Sequence, residues 1–102
     1  MRMRKKKHQA ERLESCSHII IDDITKYKDD IKAVFEEERP LHMEIGCGKG
    51  AFILETAKRN PDINFIAIEK NLNVLVLAAE KIKEANLTNV KFVAGDANVL
   101  RD

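Results

Sequence analysis

The run Ile63-Asn64-Phe65-Ile66-Ala67-Ile68-Glu69 is interrupted by polar residues only at Asn64 and Glu69. A strand with one wet face would alternate; a near-continuous apolar run is expected of a parallel strand buried on both faces. Parallel neighbours need crossover connections, and the flanking sequence supplies them. Before the run, residues 41–45 read as a strand. Residues 48–59 then read as a helix with Ile53, Leu54 and Ala57 on one face, stopped by Asn60-Pro61. After the run, Asn73 is expected to cap a second helix whose inward stripe is Val74, Leu77, Ala78, Ile82 and Ala85, with Asn86 as a left-handed stop. Residues 90–94 form a third strand. The order is a βαβαβ unit of an α/β fold, with right-handed crossovers and three parallel strands side by side.

Ahead of this unit, Ile19-Ile20-Ile21 predicts a short extended segment, and Asp22-Asp23 a helix cap. Ile24, Tyr27, Ile31, Val34 and Phe35 predict an amphipathic helix over 25–38, ended by Pro40. Two parts are therefore expected: a basic arm and helix over 1–39, and the first half of a ligand-binding domain over 40–102. The pattern stops at Asp102, where the next helix of a doubly wound sheet would begin. The expectation is a fragment whose first strand forms an open edge, weakly stable and prone to self-association.

The chemistry centres on Glu44-Ile45-Gly46-Cys47-Gly48-Lys49-Gly50, at a strand-to-helix turn. Gly46, Gly48 and Gly50 let the backbone approach a ligand, and the N–H groups of the following helix favour negative charge. The glycines also satisfy the permissive dinucleotide fingerprint through Ala51, so a nicotinamide-dependent enzyme is one reading. Glu44 argues against it, because a carboxylate there repels a pyrophosphate. It can instead accept from the amino group of a ligand that carries an amine and a sugar but no pyrophosphate, and S-adenosylmethionine is the commonest such molecule. A nucleotide-triphosphate loop is excluded, since Lys49 precedes Gly50 and not Ser or Thr. Glu69, ending the second strand of the unit, is placed to accept from ribose hydroxyls. Asp96, after the third strand, is placed to accept from an adenine amino group, with the backbone N–H of neighbouring Ala97 facing a ring nitrogen.

Of 102 residues, 44% are hydrophobic and 34% charged, the balance of an ordinary soluble domain. No apolar run nears the roughly 20 residues needed to span a bilayer, so no membrane association and a cytoplasmic location are expected. Cys16 and Cys47 match no metal or redox spacing, nor do His8, His18 and His42, so no metal is expected. Net charge is only +1, yet Arg2, Arg4, Lys5, Lys6, Lys7 and Arg12 oppose the lone Glu11 within the first twelve positions. That is either a solvated tail or a phosphate-binding arm.

The run from Leu41 through Glu44-Ile45-Gly46-Cys47-Gly48-Lys49-Gly50-Ala51-Phe52, with Asn60-Pro61-Asp62 through Glu69-Lys70 and the opening Arg2-Met3-Arg4-Lys5-Lys6, resembles bacterial tRNA (guanine-N7-)-methyltransferases. The resemblance implies the N-terminal half of a class I, Rossmann-like methyltransferase fold, with S-adenosylmethionine as cofactor and N7 of a tRNA guanosine as acceptor. Glu44, Glu69 and Asp96 would take the family's cofactor-binding roles. The family's catalytic aspartate lies in a Pro-Asp-Pro-Trp type motif absent from this sequence, so no catalytic residue is assigned and the 102 residues alone are expected to be inactive. Where many members have Pro-Trp after the basic run, this chain has Lys7-His8. A non-catalytic RNA- or protein-binding remnant is the alternative from another functional class.

Overall fold

The structure, a computed structural model, describes residues 9–21, 30–46 and 51–95. Within them lie strands β1 (Ile20–Ile21), β2 (Leu41–Ile45), β3 (Asn64–Glu69) and β4 (Val90–Ala94). Helices α1 (Gln9–Ser15), α2 (Ala51–Arg59) and α3 (Leu72–Glu84) accompany them, with one 3-10 turn, Ile31–Val34. The sheet order is β1-β4-β3-β2, and every pairing is parallel. The β3 strand is central to the expected unit: Met43 stands opposite Ile66, and Ile68 opposite Val93.

Because side chains alternate along each strand, β3 feeds two cores. Phe65 and Ala67 join Val90 and Phe92 beneath α2 and α3, where Ile53, Ala57, Leu75, Ala78, Ala79 and Ile82 cover them. Ile66 and Ile68 face the other way with Val93, against Phe35 and half-buried Val34 and Leu41. The stripe of α3 differs from the expected one. Leu75, Val76, Ala78, Ala79 and Ile82 are buried, whereas Val74, Leu77 and Ala85 are only half-buried. The sheet claims the Leu75-Ala78-Ala79-Ile82 face, at one-turn spacing.

Two further expectations are corrected. Among the described part of residues 25–38 there is only the 3-10 turn, and Phe35 to Glu38 are not helical. Pro40 disfavours helical geometry at Arg39, and Glu36-Glu37-Glu38 would load negative charge onto a helix C-terminus. The Asn64 amide instead donates to the Glu37 carbonyl at 2.9 Å and accepts from Arg39 at 3.2 Å. Arg39 also pairs with Glu37. The cap of α3 is Asn71, not Asn73: Asn71 Oδ1 accepts from the N–H groups of Asn73 at 2.9 Å and Val74 at 3.2 Å. Asn86 does adopt a left-handed φ of 57° after the helix. Asp22-Asp23 lies outside the described residues.

Ile19-Ile20-Ile21 proves more than an isolated extended segment. It adds the strand beyond β4, with Ile20 opposite Phe92 and Phe92 N–H donating to Ile19 O at 2.8 Å. The preceding residues, read only as part of the arm, fold as α1 and dock on α3. Arg12 grips Glu80 with two bonds of 2.8 and 2.6 Å. At the opposite end of the sheet β2 is the last strand, and its Met43 and Ile45 are 40% and 67% exposed. Among the described residues no strand pairs with its outer edge.

Buried Asn89 holds the α2–β3 connection, its amide lying 3.2, 3.1 and 2.9 Å from the carbonyls of Ala57, Asn60 and Ile63. Asn89→Ala should cost about 2 kcal/mol, because buried carbonyls lose their donor; urea unfolding measures this, with exposed Lys83→Ala as a near-neutral control. The Arg12 hydrogen bond holds the Glu80 carboxyl below its ordinary range. The stability it contributes is present above the unfolded-state value and is lost as pH falls through the lower folded value. The difference in stability between the wild-type chain and Glu80→Gln should thus hold at neutral pH and shrink as unfolding is followed from pH 4.5 downward.

Candidate functional site

Parallel strands end together, so whatever their last residues carry is gathered along one rim. Glu44 lies opposite Ala67 and Glu69 opposite Ala94. Ala67 is in the core beneath α2 and α3, and residues two apart share a face, so Glu44 and Glu69 stand on the same, helix-covered side of the sheet. Strand spacing and rise put their Cα atoms about 8 Å apart. Both are half-buried.

The rim is pinned by two bonds that continue the ladder past the strands. Gly46 N–H donates to Ile68 O at 2.8 Å, and Gly95 N–H to Glu69 O at 3.0 Å. Gly46 turns the chain with φ 72°, a left-handed value that a side chain would strain. The space where its Cβ would point holds no atom of the described residues within 4 Å.

The two carboxylates differ in their commitments. One oxygen of Glu69 accepts from Asn71 N–H at 2.9 Å, while the other has no partner among the described residues. Nothing among the described residues bonds the Glu44 carboxylate. Two half-buried acceptors with spare capacity on one rim suit a ligand that presents amine and hydroxyl donors. Asn71 was missed by the sequence reading. Its position two residues after Glu69 was the available signal, since one short loop must both cap α3 and orient the acid.

Gly48, Gly50, Asp96 and Ala97 lie outside the described residues, as do Arg2, Arg4, Lys5, Lys6 and Lys7. A recess of about 460 Å³ opens at the same end of the sheet, between α1 and α3, lined in part by Ala10, Leu13, Leu72, Leu75 and Ala94. A second, of about 420 Å³, lies at the opposite end beside Arg39, Thr88 and Lys91. There Lys91 donates to His18 O at 2.6 Å, and burial lowers the pKa of its ammonium. That recess shares no residue with the carboxylate rim. Among the described residues no His, Cys, Asp and Glu cluster could hold a metal, and no helix is long and apolar enough to cross a membrane.

A Bacillus licheniformis protein named tRNA (guanine-N(7)-)-methyltransferase is 42% identical over 102 residues, which is 100% of this chain and 48% of that protein. A Clostridioides difficile protein of the same name is 44% identical over 103 residues, again covering 100% of this chain and 48% of the relative. The chain thus spans about half the length of the curated relatives it matches. Among solved structures, an antibiotic-related methyltransferase superposes with TM-score 0.58 at 25% identity, covering 70% of this chain and 37% of that one. A 30S ribosomal A1408 methyltransferase from an uncultured bacterium gives TM-score 0.60 at 24% identity, covering 74% and 37%, and shares the fold. A family model described as putative methyltransferase matches residues 38–102, a span that includes the rim, its glycines and both crossover helices. The chain belongs to this putative methyltransferase family.

Proposed function

We propose that this chain is the cofactor-holding part of an S-adenosylmethionine-dependent tRNA (guanine-N7-)-methyltransferase, a transferase of tRNA modification acting in the cytoplasm. The observation that carries the reading is the placing of Glu44 and Glu69 on one face of one rim, with a left-handed glycine between them in the chain. Relatives that match the whole length and bear that activity in their names support it.

Glu44 would accept from the amino group of the methionine part, and Glu69, through its uncommitted oxygen, from the ribose hydroxyls. Asp96 and the Ala97 N–H are proposed for the adenine edge, and Gly48 and Gly50 for close backbone approach. The cofactor supplies an activated methyl group. The acceptor nitrogen, N7 of guanine, carries no proton, so no general base is needed; what this chain contributes is orientation and electrostatic support. Arg2, Arg4, Lys5, Lys6 and Lys7 are proposed to hold tRNA phosphates. The only two prolines, Pro40 and Pro61, precede Leu41 and Asp62, so the Pro-Asp-Pro-Trp type motif is not carried by these residues. Purified residues 1–102 should therefore give no N7-methylated guanosine in an assay with radiolabelled donor, and turnover would show that they hold the whole active site.

Calorimetry with S-adenosylhomocysteine tests the rim. Glu44→Ala and Glu69→Ala should each weaken binding about tenfold or more, the scale of a hydrogen bond to a charged group, with the fold kept. Binding of NAD with indifference to S-adenosylhomocysteine would overturn the assignment. For the arm, replacing the five basic residues by Gln should lower the slope of log affinity for tRNA against log salt by roughly 4, on the usual increment per phosphate contact. An unchanged slope would mean an inert tail.

A further inference from the structure

The two edges of the sheet are unlike. At one side β1 is two residues long, too short to recruit another strand. At the other, β2 runs over Leu41–Ile45 in unbroken register with β3, and no lysine or proline within it repels a neighbour. Its backbone orientation is fixed by two bonds: Asn64 N–H donates to Pro40 O and Gly46 N–H to Ile68 O, each at 2.8 Å. Backbone groups alternate in direction along a strand, so His42 and Glu44 point theirs at β3. Leu41, Met43 and Ile45 point theirs at the outer edge. Side chains alternate as well. Leu41, Met43 and Ile45 share one face, on which Met43 is 40% and Ile45 67% exposed. His42 and Glu44 share the helix-covered face, where the His42 ring meets Phe65 edge-on with 5.6 Å between centroids.

The strand thus has the same pattern from either end, apolar at its first, third and fifth positions and polar between them. Laid antiparallel to a second copy about Met43, its outward N–H and C=O groups all meet outward groups: Leu41 faces Ile45 of the other copy, and Met43 faces Met43. His42 faces Glu44 of the second copy at a non-hydrogen-bonded position, where opposed side chains come closest. An imidazole keeps an N–H to donate in either protonation state and a carboxylate accepts, so the pair is complementary, and symmetry makes it twice. A slip of two residues sets Glu44 against Glu44 or His42 against His42. A slip of one sets apolar side chains against polar ones.

We infer that this protein dimerises edge to edge through β2, with a two-fold axis at Met43 and His42 of each copy donating to Glu44 of the other. The exposed Met43 and Ile45 of both copies form one apolar strip across the junction. Each copy sets a residue beside the other's Glu44, on the rim of the candidate site. The pairing uses Glu44 only as an acceptor, so it holds whatever ligand the rim takes.

Sedimentation equilibrium of the full chain from about 1 µM to about 300 µM, the range in which a small interface associates, should fit a single monomer–dimer equilibrium. His42→Glu and Glu44→His should each weaken dimerisation about tenfold or more, because like groups then face each other. An equimolar mixture of the two variants should dimerise as tightly as the unaltered chain, since each supplies the side chain the other lacks; mixing would not repair a variant that fails to fold. Amide exchange on the unaltered chain needs no substitution. The N–H groups of Met43 and Ile45 should gain protection as concentration rises, and those of His42 and Glu44, which face β3, should change little. A monomer across the whole range, growth beyond the dimer, a mixture no tighter than its components, or concentration-dependent protection absent from Met43 and Ile45 overturns the inference and leaves the cofactor reading standing.

Discussion

Every other element is placed by the burial of β3 on both faces. Phe65 and Ala67 demand cover on one side and Ile66 and Ile68 on the other, and no single helix can supply both. A strand in that position takes parallel neighbours, and parallel neighbours require crossovers, so α2 and α3 follow from the same constraint. The common strand direction then brings the last residues of β2, β3 and β4 to one end. The candidate site is thus a by-product of packing: Glu44 and Glu69 meet because the hydrophobic residues before them do.

That is also why so much was legible in advance. The apolar run of β3, the crossover lengths, the stop at Asn60 and the left-handed Asn86 are signals of local sequence, and the structure has them where they were expected. What sequence could not supply was choice among equivalent local options decided by distant residues. Asn71 and Asn73 are equally good caps in isolation; Glu69 recruits the first and Gln9 the second. Residues 35–38 have helical spacing, but Asn64, far along the chain, captures the Glu37 carbonyl. The α1 helix was hidden because its stabilising partners, Asn73 and Glu80, lie more than sixty positions away.

At the site the same division holds. Glu44, Gly46 and Glu69 were legible because their spacing from a strand end fixes where they go. Their unequal commitments were not, since these depend on what the loop after β3 does with its N–H groups. One acid accepts from the Asn71 N–H and the other has no partner among the described residues, and only three-dimensional placement distinguishes two residues that read alike as letters.

The pairing of β1 with β4 sets an order of events during synthesis. Ile20 is made early and its partner Phe92 late, and the clasp from Lys91 to the His18 carbonyl bridges 73 positions. Closing so wide a loop is entropically costly until the intervening β2-α2-β3-α3 framework has condensed. Of the two partners, the strand made earlier must therefore wait longer to lock in. Until Phe92 arrives, Ile20 has no strand to pair with and the Ile19 carbonyl lacks its donor.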